Sequence, residues 1–229
     1  MQTIGCRWVR AWALLWLAAS TSGCTSFAAM GGPHTPNRGE VEIAGSYSLG
    51  GSANTANQQT INFTLEGAAR YSLLDRYQLG LRLGLTGDTP TIRFEQKIGI
   101  FRVPDGEEGF EFSLAPSVGL IWFNEYGDGP SIAAQLGLMF GYRTLNGHEF
   151  YFSLEPSALK VDGPLGGTFW EFEPAGTAGV VVAIMPGMKL NLEWDMFRTR
   201  PISSGTASVG MNVMIGLLVQ PFDMNQKHP

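Results

Sequence analysis

Cysteine is almost missing from this chain: Cys6 and Cys24 are the only two among 229 residues. Both lie at the very start, so disulfide scaffolding and cysteine-ligated metals are excluded for everything downstream. Histidine is nearly as scarce, with His34, His148 and His228. A histidine base beside a serine or carboxylate partner is hard to assemble from so few. Lysine occurs four times, at 97, 160, 189 and 227, and charged residues make up only 15%. A soluble domain carries more charge on its surface, roughly 25–35%. The formal net charge of −5 and the absence of a basic, aromatic-interleaved patch exclude nucleic acid as a partner. No apolar run is long enough for a membrane helix, and after the first residues nothing has helical periodicity. Gly-x-Ser-x-Gly, Walker and zinc-protease patterns are missing too, so no catalytic residue, metal or cofactor is expected.

What is present is alternation. In Ser204–Phe222 the odd positions from Ala207 to Val219 are Ala, Val, Met, Val, Ile, Leu and Val, against Ser208, Gly210, Asn212 and Gly216. A period of two held that long exceeds an ordinary strand and suits a tilted membrane-spanning one of roughly 9–11 residues. The same pattern recurs from Glu40 onward. Tyr77–Leu85 sets Tyr77, Leu79, Leu81, Leu83 and Leu85 against Gln78, Gly80, Arg82 and Gly84. Further runs fall at 40–49, 60–71, 91–102, 110–122, 131–142, 150–159, 169–184 and 188–197, about ten strands in all. Asp75-Arg76, Asn146-Gly147 and Pro186-Gly187 read as tight turns, Asn-Gly favouring a two-residue hairpin. Longer connections fall at 50–58, 124–130, 162–167 and 198–203. Gly87–Pro90 and Val103–Gly109 break the alternation of short and long. Phe110-Glu-Phe-Ser-Leu-Ala-Pro-Ser recurs as Phe150-Tyr-Phe-Ser-Leu-Glu-Pro-Ser, consistent with hairpin duplication. Pro116, Pro156 and Pro174 fall inside strands, where each predicts a bulge or a break.

The polar face is rich in small residues, including Gly80, Gly84, Ala115, Gly137 and Gly179, which suits a crowded lumen. Aromatics gather at strand ends, as Tyr71 and Tyr77, Tyr142 and Phe150, Trp122 and Trp170, which suits interfacial girdles. Together these put the apolar face outside. The chain resembles small bacterial outer-membrane β-barrels over about residues 40–222. The resemblance implies an antiparallel up-and-down transmembrane barrel, monomeric, with both termini at the periplasmic side. Ser208, Gly210, Val213 and Ile215 resemble the assembly signal of that group.

Arg7 and Arg10 precede a short apolar run, Trp12–Ala19, and then Thr21-Ser22-Gly23-Cys24. This resembles the lipobox of bacterial lipoproteins, with Thr21 where that family prefers Leu, Val or Ile. It implies a signal peptide over 1–23 and lipid on Cys24, and Thr25 in place of Asp favours the outer membrane. The alternative is an ordinary secretory cleavage near Ala28-Ala29. Residues 24–38 read as a flexible tether, 39–222 as the barrel and 223–229 as a short tail.

On this assignment the lumen holds Glu66, Glu95, Glu111, Glu155, Glu171, Glu173, Glu193 and Asp195 opposite Arg70, Arg82, Arg93, Lys97 and Lys189. A barrel of about ten strands is narrow, so these charges either pair into a plug or line a path for a small solute, the acidic excess then favouring cations. His148 reads as a solvated turn residue. Asn124–Asp128 offers oxygens without the spacing of a calcium loop. Arg198 and Arg200, placed in a loop, could reach lipopolysaccharide phosphates. The expected function is a non-enzymatic structural or interaction role at the cell envelope. A narrow channel and a periplasmic lipocalin-like carrier of an apolar ligand are the alternatives.

Overall fold

In the computed structural model the described residues are 29–54, 59–122, 130–162, 168–199 and 208–220. Among them there are strands and turns only. The strands are β1 (Val41–Asn54), β2 (Gln59–Leu74), β3 (Tyr77–Thr86), β4 (Thr89–Phe101), β5 (Gly109–Ile121), β6 (Ser131–Arg143), β7 (Glu149–Leu154), β8 (Ser157–Asp162), β9 (Thr168–Glu173), β10 (Ala175–Met185), β11 (Met188–Thr199) and β12 (Ser208–Val219). Each pairs antiparallel with its sequence neighbour or its continuation, and β12 returns to β1. β7 with β8, and β9 with β10, are single staves interrupted by a proline. The result is a closed barrel of ten staves.

Closure is made by the stretch with the longest alternation. β12 pairs with β1 from Ile43↔Val219 to Asn54↔Ser208 and with β11 from Met188↔Val219 to Thr199↔Ser208. Closing the sheet removes every edge, the condition for a sheet to stand in hydrocarbon. Alternation then gives the barrel its two faces. Leu65 is 62% exposed and Val213 63%, whereas Glu193 is 2% exposed and Arg93 5%. Apolar residues face out and charges face in, the reverse of a soluble barrel. An apolar calyx of the lipocalin kind is not what this lumen forms.

The three strand prolines lie on one row. Pro116 stands opposite Leu136, whose N–H donates to the Pro156 carbonyl at 3.0 Å. Continuing the β7–β10 register sets Pro156 opposite Pro174, whose carbonyl accepts from Arg198 at 3.1 Å. The expected break occurs at Pro156 and Pro174. At Pro116 β5 runs on in unbroken register with β6, and its pairing with β4 lapses between Glu95↔Ser117 and Ile98↔Leu114. A proline has no N–H to return, so each leaves a ladder rung half made.

The turns at 75–76 and 186–187 are tight, as is the one at 87–88. Asn146-Gly147 does not make a two-residue hairpin. It sits in a five-residue turn, 144–148, closed by the Thr144 N–H on the His148 carbonyl at 2.9 Å, with Gly147 at φ 77°. Arg198 lies in β11 and not in a loop, paired with Val209. Register extends β11 to Thr199 because β12 continues to match it.

Residues 29–38 depart most from expectation. Read as a tether, they run inside the barrel, from Arg38 at the end carrying the turns 75–76, 102–108 and 144–148 inward to Ala29. Met30 is 2% exposed and Thr35 1%. A short run of small residues has no periodicity to betray a buried course, and the partners that hold it are distant in sequence.

Candidate functional site

The lumen is the candidate site, and the strap formed by residues 29–38 is at its centre. Every stave contributes inward side chains at alternate positions, so its chemistry is written on the even or odd residues of each strand. Of the thirteen charges assigned to the lumen from sequence, twelve point inward; the side chain of Glu171 lies outside the described residues. Glu42, Glu149 and His34 belong with them. Glu149 was missed because it starts β7, where a single charged residue before an alternating run carries no phase; Glu42, between Val41 and Ile43, was in phase with the lumen face and was legible. His34 was missed with the strap.

The charges separate into two walls. On β1–β4, Arg70 binds Glu42 through Nη1 at 2.7 Å and Glu95 through Nε at 3.2 Å. Arg82 binds Glu95 through Nε at 2.5 Å and lies 3.9 Å from Glu66. Arg93, opposite Arg82 in register, donates to the neutral Gln135 at 2.7 Å. On β7–β11 the acids dominate. Tyr151 and Asn191 both donate to Glu193, and Thr177 Oγ1 lies 2.9 Å from Asp195 and 3.2 Å from Glu155. Gln135 on β6 donates to Glu155 on the adjoining stave. Lys189, bound to Glu149 at 3.2 Å, is the cation on this wall. Taking such groups out of water costs several kcal/mol each unless they are paired and hydrogen-bonded. That is why single charges are so densely bridged here. Tyr151 reaches across because Gly179 faces it; a Cβ at 179 would lie 2.3 Å from the ring.

The strap threads between the walls, held largely through its backbone. Arg82 donates to the Ala29 carbonyl at 3.3 Å and Arg70 to that of Met30 at 3.1 Å. The Gly31 N–H donates to Glu193 at 3.0 Å. Lys97 donates to the carbonyls of Gly32 at 3.0 Å and His34 at 3.4 Å. Gly31, at φ 134°, and Gly32 are needed: a Cβ on Gly32 would stand 2.1 Å from a Glu149 oxygen. Met30, at φ 51°, packs its side chain with Val181, Met214 and Leu218, an apolar spot within the polar lumen.

At the terminal end the strap is latched. His34 Nδ1 is 2.9 Å from Glu111 Oε1, and Arg143 lies against the ring at 2.9 Å. Asp105, in the turn between β4 and β5, accepts from Asn37 at 2.5 Å and from Arg143 at 2.8 Å. Partial burial alone would raise the Asp105 carboxyl. Hydrogen bonds from Asn37 and Arg143, with the charges of His34 and Arg143, outweigh it and hold the group below its ordinary value of 3.8.

His148 is part-buried and accepts from the Ala183 N–H at 3.1 Å, so it finishes the 144–148 turn and is not simply solvated. Cys24, Asn124–Asp128 and Arg200 lie outside the described residues. Aromatics do gather toward the terminal end of β4–β7: Phe110 meets Tyr142 edge-on at 5.2 Å, and Phe112 stacks on Phe140 at 4.5 Å.

No family model matches this sequence, and no curated protein matches it. Solved structures do resemble it. Neisserial surface protein A is 13% identical, over 79% of this chain and 96% of that one, with a TM-score of 0.39. The translocator domain of the autotransporter NalP from Neisseria meningitidis is 12% identical, over 93% and 95%, at 0.38. The outer membrane protein OprG from Pseudomonas aeruginosa is 12% identical, over 81% and 97%, at 0.37. The likeness is one of fold, and by its own pairing and faces this chain is an antiparallel transmembrane β-barrel of ten staves.

Proposed function

We propose that this protein is a non-enzymatic bacterial outer-membrane barrel, lipid-anchored through Cys24, with a structural or interaction role at the cell envelope. The observation that carries the reading is the strap: the protein's own residues 29–38 occupy the lumen where a substrate or a solute path would otherwise run. The charges that could line a pore are engaged with the strap or with one another. Cys24 lies five residues before Ala29, at most about 17 Å of extended chain. Outward Arg198 is the described residue able to meet a lipopolysaccharide phosphate.

Planar-bilayer recording of the purified, folded protein tests the structural reading against the channel. Silent membranes are expected; discrete unitary conductance from the unaltered protein would remove the structural reading in favour of a narrow channel. Metabolic labelling with palmitate tests the anchor. Label that disappears in Cys24→Ser is expected, and label persisting in that variant defeats the assignment. The same variant should still require detergent for extraction, because the barrel holds the membrane by itself.

A further inference from the structure

A cavity lies in the lumen beside the inner end of the strap. Gln78, Lys97, Arg70, Arg82, Gln135 and Ala29 are among the residues around it. It offers about 40 Å³ to the centres of water-sized occupants. At about 10–15 Å³ per occupant that is about three positions, the size of a phosphate or a carboxylate. A smaller cavity near Arg93 and Ser157 shares Ser117 and Gln135 with it, while Ala29 of the strap stands at its inner end.

Gln78 is the anomaly. It is 1% exposed, it lines this cavity, and neither its Nε2 nor its Oε1 has a hydrogen-bond partner among the described residues. A buried amide left unmade costs roughly 1–3 kcal/mol. Its register partner is Lys97. The Lys97 ammonium spends two donors on strap carbonyls and has no carboxylate within ion-pair distance among the described residues. A third donor remains, and Glu42, Glu149 and Glu95 act on the charge only from beyond ion-pair distance. Glu95 and Glu155 also line the cavity; the Glu95 oxygens are taken by Arg70 and Arg82, and those of Glu155 accept from Gln135 and Thr177.

We infer that this cavity binds a small oxyanion, of phosphate or carboxylate class, through the Gln78 amide and the Lys97 ammonium. The sign follows from the surroundings. Lys97, Arg70 and Arg82 outnumber Glu95 and Glu155 around the cavity, so a cation would meet net positive charge, and an uncharged solute would leave Lys97 without a direct counter-charge. The local preference is thus opposite to the cation preference that the acidic composition suggests. The site needs only the closed barrel and the strap, so it stands whether or not the lumen conducts.

The test is calorimetric titration of the purified full-length protein in detergent with inorganic phosphate and, separately, acetate. Saturable binding of at least one is expected. Gln78→Glu, which puts a carboxylate in the cavity, should weaken it at least tenfold. Lys160→Gln, which removes a charge from the outer face of β8, should leave it unchanged. Heat-modifiable mobility on gels reports that each variant is folded. If Gln78→Glu does not fold, Gln78→Ala, which only removes atoms, should weaken binding severalfold. No saturable binding of either anion by the unaltered protein, or equal affinity in the folded Gln78 variant, overturns the inference; in that case water fills the cavity.

Discussion

Lys97 donates its ammonium to the backbone carbonyl of Gly32 at 3.0 Å, 65 residues upstream and inside the barrel. A lysine in a lumen would be expected to seek a carboxylate. This one holds a peptide, and that contact makes residues 29–38 part of the fold.

The strap should be removable without losing the barrel. In Gly32→Val the new Cβ would collide with Glu149, and overpacking of this kind costs about 1–3 kcal/mol. The strap is expected to leave while the sheet persists. Trypsin should then cut after Arg38 in folded, heat-modifiable protein that resists it when unaltered. Unchanged resistance in the variant would mean that the strap is not held as described.

Arg70 ties the β1–β4 wall to the strap through Glu42, Glu95 and the Met30 carbonyl. Arg70→Met strands the buried Glu42 carboxylate and leaves Glu95 to Arg82 alone, a loss of about 3–5 kcal/mol. The urea midpoint, read by heat modifiability, should fall clearly. Adding Glu42→Gln should recover part of it. A single variant as stable as the original would show that this network contributes little.

Acid should loosen the latch through Asp105. Its folded value is depressed, so its contribution is complete above its ordinary value of 3.8 and is lost as pH falls through the lower folded value. Hydrogen exchange at Asn37 and Arg38 should therefore be faster in Asp105→Asn than in the original at neutral pH. The two should converge in strong acid, once the carboxyl is protonated. A difference that grows toward acid would have the wrong sign for this role.

Pro156 offers a stabilising change. A residue with an N–H there can return the bond that Leu136 now makes in one direction only. Pro156→Val should gain about 0.5–1.5 kcal/mol and fuse β7 with β8, visible as slowed amide exchange across 155–157. Faster exchange there would indicate that the interruption is required by the curvature of the wall.

Deleting 207–222 removes β12 and with it the seam to β1. Membrane insertion and heat modifiability should both be lost. Heat-modifiable protein after that deletion would show that the barrel closes by another pairing.

Alternation was enough to place the staves. Leu81 and Leu83 against Arg82, or Val213 and Ile215 against Met214 and Gly216, can satisfy neither water nor a helix face. The amino-acid pattern alone therefore determined a β-barrel with its apolar face outside and most of its lumen charges. Local signals did less well where a partner decided the outcome. Arg198 looked like a loop residue until β12 paired with it, and Asn146-Gly147 looked like a two-residue turn until Thr144 and His148 closed a wider one. The prolines were visible singly, but their common row depends on register, which no one strand contains. Least legible was the strap. Ala29–Pro36 has no period, and what holds it are backbone contacts to Arg70, Arg82, Lys97 and Glu193, each long in sequence separation. Only the tertiary structure could decide that this segment lies within the barrel, because its stability comes from the walls around it and not from its own residues.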